Sequence, residues 1–191
     1  MNELEFIRQQ VATERAHMGA ARAAMAAALA VDYPLEVMEP FARAAARYLV
    51  FVVRRFNRQD LEHCAILQPL IPATDTTDHN TLADLAETLW MSSRAIEELA
   101  AALESPHAEL LAACGTYNQF YSAVLVGRRH AIYHLFEQHY SVAEWRRASF
   151  VDADSVLEER ELFDAVGRAL PTGVELRSPG RPVASRGPEA P

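Results

Sequence analysis

The chain of 191 residues contains no lysine, only two cysteines and only seven glycines, and each shortage narrows what the protein can be. All 18 basic residues are arginine, against 26 acidic residues. The net charge of -8 argues against nucleic acid as a main partner, because phosphate binding needs a basic face. The scattered glycines form no phosphate-binding loop, and no Gly-x-Ser-x-Gly motif marks a serine nucleophile.

Cysteine usage and the amino terminus predict a soluble cytoplasmic protein. Cys64 and Cys114 lie in different helical patterns and form no Cys-x-x-Cys motif, which is typical of reduced, buried cysteines. The first ten residues, MNELEFIRQQ, are charged and amphipathic and do not resemble a signal peptide. The apolar stretch 19–31 contains Arg22 and is too short to span a membrane.

Apolar residues recur at helical spacing over most of the chain, and no alternating strand pattern is present. Helix caps are expected at Asp78, at Ser105 followed by Pro106, and at Ser155 with Glu158. The first predicted helix covers residues 3–30, and the second begins between Leu35 and Phe41 and runs to about Leu67. The other predicted helices cover residues 81–103, 106–147 and 155–170. This pattern predicts an all-α fold: an antiparallel up-down four-helix bundle over residues 1–170 with a short extra C-terminal helix. Residues 171–191, rich in Pro, Gly, Ser and Arg, are predicted to form a disordered tail.

Four histidines fall inside the predicted helices at spacings that suit metal binding. Glu14 precedes His17 by three residues, and Asp60 precedes His63 by three, so each acid shares a helix face with its histidine. His130 and His134 lie one helical turn apart on the fourth helix. Helical bundles bind metals through inward-facing carboxylates and imidazoles. The predicted metal site therefore comprises His17, His63, His130, His134, Glu14 and Asp60, with the two acids as ligands or as partners that orient the rings.

A plainer interpretation explains the same residues. A helical acid-x-x-His pair often arises by chance, and histidine also serves as a half-buried residue with a single hydrogen bond. His79, His107 and His139 are predicted to be loop, cap and surface residues. Tyr133, Tyr140 and Trp145 are predicted to be packing residues.

The layout resembles the hemerythrin-like family of cation-binding four-helix bundles over roughly residues 5 to 145. His17 matches the family's first-helix histidine, His130 matches its fourth-helix histidine, and the segment 67–70 (LQPL) resembles the ending of its second-helix motif. The resemblance implies a non-haem iron site, mononuclear or dinuclear, that serves dioxygen or redox binding, sensing or small-molecule oxidation.

This chain departs from the family pattern at three places. The second-helix His-x-x-x-Glu becomes Gln59-x-x-x-His63, and His134 replaces the fourth-helix acid. The third helix carries no histidine, and residues 89–93 (LWMSS) stand where ligands are expected. Either the site is a variant with fewer ligands, or only the scaffold remains. Helix geometry also puts His63 about 15–20 Å farther along the bundle than the level of His17. His63, His130 and His134 could therefore cluster without His17.

Two functions follow from the sequence. The first is a hemerythrin-like bundle that binds iron and acts on dioxygen or a small molecule, with enzymatic activity left open. The second is a metal-free helical bundle with a regulatory or protein-interaction role, in which the arginine-rich segment 145–147 and the tail would contact a protein partner or a second copy of the chain.

Overall fold

The computed structural model describes residues 3–125, 134–148 and 153–177, and these residues form helices with no strand among them. The prediction of an all-α protein is confirmed. Residues 134–139 are also helical, between α4 and α5. The helices are α1 (Glu3–Leu29), α2 (Leu35–Leu67), α3 (Thr76–Ala102), α4 (His107–Phe120), α5 (Val142–Ala148) and α6 (Ala153–Arg168).

Helix α2 lies at the centre of the fold and contacts α1, α3, α4, α5 and α6. Its sequence explains this position, because buried residues from Met38 to Leu67 occupy more than half of its circumference. A helix with so wide a buried face is stable only when other elements cover it on several sides. No helix in the described part of the chain is long and apolar enough to cross a membrane.

The interior divides into two hydrophobic clusters along α2. The large cluster contains Phe41, Tyr48 and Phe56 of α2, packed against α1, α3, α4 and α6. The small cluster surrounds Cys64 and Leu67 of α2 and includes Phe136 and Trp145. The α2 segment from Asn57 to His63 runs between them and buries Asn57, Gln59, Asp60 and His63. Buried polar residues therefore separate the two clusters.

Three predicted helix caps are wrong. Helix α3 begins at Thr76 rather than near Thr81, because Asp75 accepts a hydrogen bond from the backbone N–H of Asp78 and acts as the cap predicted for Asp78. Pro106 precedes α4 without a side-chain cap, so Ser105 does not cap it. Helix α6 begins at Ala153, so Ser155 lies inside the helix.

The predicted fourth helix, 106–147, is not continuous. After α4 the backbone forms a π-helical turn, Tyr121–Leu125. Residues 140–141 interrupt the helical backbone before α5, where the Ser141 hydroxyl accepts a hydrogen bond from the N–H of Ala143. The carboxylate of Glu144 in turn accepts a hydrogen bond from the N–H of Ser141 at 2.8 Å. This capping arrangement starts a new helix.

Packing continues beyond Leu170, where the disordered tail was predicted to begin. Pro171 is buried, and Val174 and Leu176 pack against the large cluster. The Tyr33 hydroxyl donates a hydrogen bond to the carbonyl oxygen of Thr172 at 2.8 Å. Gly173 has a φ of 88°, a conformation that favours glycine and lets the chain turn back here. The rest of the predicted tail, 178–191, lies outside the described residues.

Candidate functional site

The two acids of the predicted metal motifs face arginines of the opposite helix. Glu14 of α1 accepts a hydrogen bond from Arg55 of α2 at 2.7 Å, and Asp60 of α2 accepts one from Arg15 of α1 at 2.9 Å. Both carboxylates are almost fully buried. We call these two contacts the crossed ion pairs. They neutralise two buried charges, and each pair joins α1 to α2.

One aromatic ring lies close to both guanidinium groups of the crossed ion pairs. The guanidinium carbon of Arg15 is 5.2 Å from the centre of the Phe56 ring, and that of Arg55 is 5.4 Å from it. A guanidinium group near an aromatic face is stabilised by the ring quadrupole. The crossed ion pairs and Phe56 therefore form one packed unit, which lies within the interior and supports the α1–α2 contact.

His17 binds a carboxylate that the sequence did not indicate. Its Nδ1 lies 3.2 Å from Oε1 of Glu159 on α6, and the Tyr48 hydroxyl donates to the same oxygen at 2.9 Å. The His17 ring stacks on Phe163 with 4.2 Å between centroids. These four residues are the His17 site. Burial raises the pKa of Tyr48 above its usual range, and the neighbouring charge of Glu159 adds to this effect. The hydroxyl therefore keeps its proton and acts as a hydrogen-bond donor.

His63 lies in an aromatic cage in the small cluster. Its ring centroid is 4.5 Å from that of Phe136, 5.7 Å from that of Tyr140 and 6.1 Å from that of Trp145. The Tyr140 hydroxyl donates to the carbonyl oxygen of His63 at 3.1 Å and also lies 3.1 Å from His63 Nδ1. These four residues are the His63 site. Burial lowers the pKa of His63 from 6.5 to about 4, so its imidazole is neutral near pH 7.

Among the residues that the structure describes, the predicted metal ligands do not form one site. His17 and His63 lie at separate sites, as the helix geometry allowed. His134 is exposed, with its Nε2 3.0 Å from the side-chain nitrogen of Gln138. His130 lies outside the described residues, so its part in the predicted site stays a prediction. Within the described ranges, no group of three His, Cys, Asp or Glu residues is placed to hold a metal ion.

Residues 89–93 of α3, where the hemerythrin-like pattern would have metal ligands, form a neutral polar contact with α2. The side-chain nitrogen of Asn57 donates to the Ser92 hydroxyl at 3.0 Å, and that hydroxyl donates back to Oδ1 of Asn57 at 3.2 Å. Both residues are buried. The contact satisfies polar groups that would be costly to bury alone. It holds α2 against α3 and contributes no metal-binding side chain.

Both cysteines are free and buried, as predicted. Burial raises the pKa of each thiol to about 12, so neither is a thiolate near pH 7. The thiolate is the reactive form, and neither cysteine has the lowered pKa that is typical of a nucleophilic cysteine.

The sequence analysis did not predict Arg15, Arg55 or Glu159. These residues are the partners of Asp60, Glu14 and His17. Arg55 could have been found, because it follows Val52 and Val53 and precedes Phe56, and an arginine is rarely buried without a partner. Glu159 carries no comparable signal, since α6 is rich in acidic residues. His139 was predicted to be a surface residue, but it is half-buried and its Nε2 lies 3.2 Å from Asp78.

No protein-family model, curated protein or solved structure matches this chain.

Proposed function

We propose that this chain is a metal-independent binding protein built on a four-helix bundle, in which buried ion pairs join the helices. The bundle arrangement is supported by contacts that close a ring, α1 with α2, α2 with α3, α3 with α4 and α4 with α1. The observation that carries the proposal is that Glu14 and Asp60 each bind an arginine of the facing helix. Their charges are balanced without a metal.

The surface offers concave regions for binding. An open cleft of about 750 Å³ lies between the end of α2 and α5. It is lined by apolar residues such as Ile66, Pro69 and Leu70, with Glu144 and Arg147 at its other side. Leu70 is 38% exposed, which leaves apolar surface open to a partner. Binding sites are usually concave and mostly apolar with a few polar groups.

The iron-binding alternative is favoured by one contact, the imidazole of His17 and the carboxylate of Glu159 at 3.2 Å. These two groups come from different helices and are of the type that suits iron. They do not by themselves fit a metal site, because the described residues supply no third histidine, cysteine or carboxylate there. We therefore derive no reaction through a metal.

Metal analysis separates the two functions. We expect protein produced in iron-supplemented medium without a histidine tag to hold less than about a tenth of an equivalent of transition metal, and its melting temperature to be unchanged by chelator. A ligand that binds only the folded state must raise stability. Stoichiometric iron, together with a fall in melting temperature on chelation, would overturn the proposal.

A His17→Ala variant locates any metal that is found. If iron is bound through His17 and Glu159, this variant loses it. A His107→Ala variant, which changes a histidine outside the predicted metal site, is the matched control.

A further inference from the structure

Arginine side chains line a groove between α2 and α6. Arg47, Arg54, Arg55 and Arg58 face it from α2, and α6 contributes Glu158 as the one acidic lining residue in the described part of the chain. The groove has a volume of about 380 Å³. The four arginines repeat at steps that keep them on one side of the helix. We call this feature the arginine groove.

The arginines of the groove differ in how far their charge is already balanced. Arg55 is held by Glu14, and Arg54 donates to Glu97 of α3 at 2.8 Å. Arg47 and Arg58 are exposed, and neither forms an ion pair with any residue that the structure describes. In a chain of net charge -8, two arginines at one groove without acidic partners form a local site of positive charge.

Apolar side chains lie between the two unpaired arginines. Phe51 is half-buried and Val50 is buried on α2, while Leu162 of α6 and Leu103 line the same groove. Phe51 lies one helical turn after Arg47 and two turns before Arg58. Along the helix Arg47 and Arg58 are separated by about 16 Å at 1.5 Å per residue. An elongated molecule matches this separation better than a small anion does.

We infer that the arginine groove binds an elongated, apolar small molecule that carries an anionic group, carboxylate or phosphate, at each end. One anionic group binds Arg47 and the other binds Arg58, and the apolar body lies against Phe51. Guanidinium groups suit this task because they bind carboxylate and phosphate oxygens through two parallel hydrogen bonds. The groove volume favours a small molecule over a peptide, since it lies near the lower end of the usual range for ligand sites.

This inference rests on the proposed binding function and gives it a site and a ligand class. The probe is biphenyl-4,4′-dicarboxylate, compared with biphenyl-4-carboxylate, which has the same body and one charge. We expect isothermal titration calorimetry to show saturable binding of the diacid. The monoacid should bind about tenfold more weakly, because it loses one charge-assisted contact worth about 1.5 kcal/mol.

Arg47→Gln and Arg58→Gln each remove one end of the site. Each should weaken binding of the diacid about tenfold, to roughly the affinity of the monoacid for the unaltered protein. Arg94→Gln, which changes an exposed arginine on α3, is the matched control and should leave the affinity unchanged. Because Arg47 and Arg58 are exposed, all three variants should keep the melting temperature of the parent protein.

Three results would overturn the inference. These are no saturable binding of the diacid at millimolar concentration, equal affinity for diacid and monoacid, or equal effects of the Arg47, Arg58 and Arg94 substitutions. Failure here is distinct from failure of the proposed function, because the metal analysis does not depend on the probe. If the protein is free of iron and does not bind the diacid, the proposal of a metal-independent bundle stands and only the proposed ligand is wrong.

Discussion

The His17 site and the His63 site begin from the same sequence pattern, an acid three residues before a histidine on a long helix, and end in opposite environments. His17 keeps a quarter of its side chain exposed and contacts a buried carboxylate. His63 is 4% exposed and is enclosed by Phe136, Tyr140 and Trp145. The first site contains a buried carboxylate, and the second is formed by aromatic rings around a neutral imidazole.

The residues of the facing helices explain the difference. Glu14 binds Arg55 and Asp60 binds Arg15, in each case across the helix interface. Helical spacing places an acid and a histidine on one face, but the facing helix decides which partner the acid takes. The histidines are then free to take different partners, Glu159 from α6 for His17 and Tyr140 for His63.

The largest effect should come from breaking a crossed ion pair. Arg55→Met leaves the buried Glu14 carboxylate without this arginine. We expect the free energy of unfolding to fall by about 3–5 kcal/mol, the usual cost of removing one partner of a buried pair. Urea unfolding followed by circular dichroism at pH 7 measures it.

The double variant Glu14→Leu/Arg55→Met provides the control. It removes both charges and replaces them with apolar side chains, so it should regain most of the stability lost in Arg55→Met. If the double variant is as unstable as Arg55→Met alone, the loss comes from packing around Phe56, and the crossed ion pairs do not set the stability of the α1–α2 contact.

The second effect is a pH dependence that belongs to the His63 site. Burial lowers the pKa of His63 from 6.5 to about 4, so the unfolded chain binds more protons than the folded chain between these values. Stability from this group is therefore present above pH 6.5 and is lost as the pH falls to about 4. The loss should amount to about 3 kcal/mol. Free energies of unfolding measured from pH 7 to pH 4 test this.

His63→Gln should flatten this part of the stability profile, because glutamine does not titrate. His134→Gln changes an exposed histidine and should leave the profile of the parent protein unchanged. A profile in His63→Gln that keeps the full slope would show that other groups titrate on folding and that the aromatic cage does not exclude the charged imidazole.

Helix content and the position of α2 were predictable because they depend on periodicity within the chain. The second helix was predicted to begin between Leu35 and Phe41 and to end near Leu67, and the structure gives Leu35–Leu67. The prediction of a continuous fourth helix is wrong at Tyr140 and Ser141, where a local capping contact with Glu144 competes with helix continuation. Apolar spacing continues through that break, so periodicity alone could not reveal it.

The partners of the histidines were not predictable for a different reason. His17 and Glu159 are separated by 142 residues, and nothing near either residue specifies the other. Tyr140 was expected to be a packing residue. It does pack against Phe136, but its hydroxyl also lies against His63. Such contacts arise from tertiary packing. A single sequence indicates the helix face on which a side chain lies, but not the residue that it contacts.

The smallest expected effect is the difference in stability between variants of the two tyrosines, Tyr48 and Tyr140. Tyr48→Phe removes a hydrogen bond to the Glu159 carboxylate, and Tyr140→Phe removes one to the neutral His63 site. Hydrogen bonds to charged groups contribute about 1.5–3 kcal/mol and neutral ones about 1 kcal/mol, so Tyr48→Phe should destabilise the protein more by about 1 kcal/mol. Tyr33→Phe, at a more exposed hydrogen bond, is the control and should cost less than either. Chemical unfolding of the three variants at pH 7 gives the order. If Tyr140→Phe proves the costlier change, the charge of Glu159 does not dominate the His17 site, and the contrast between the two sites is one of burial alone.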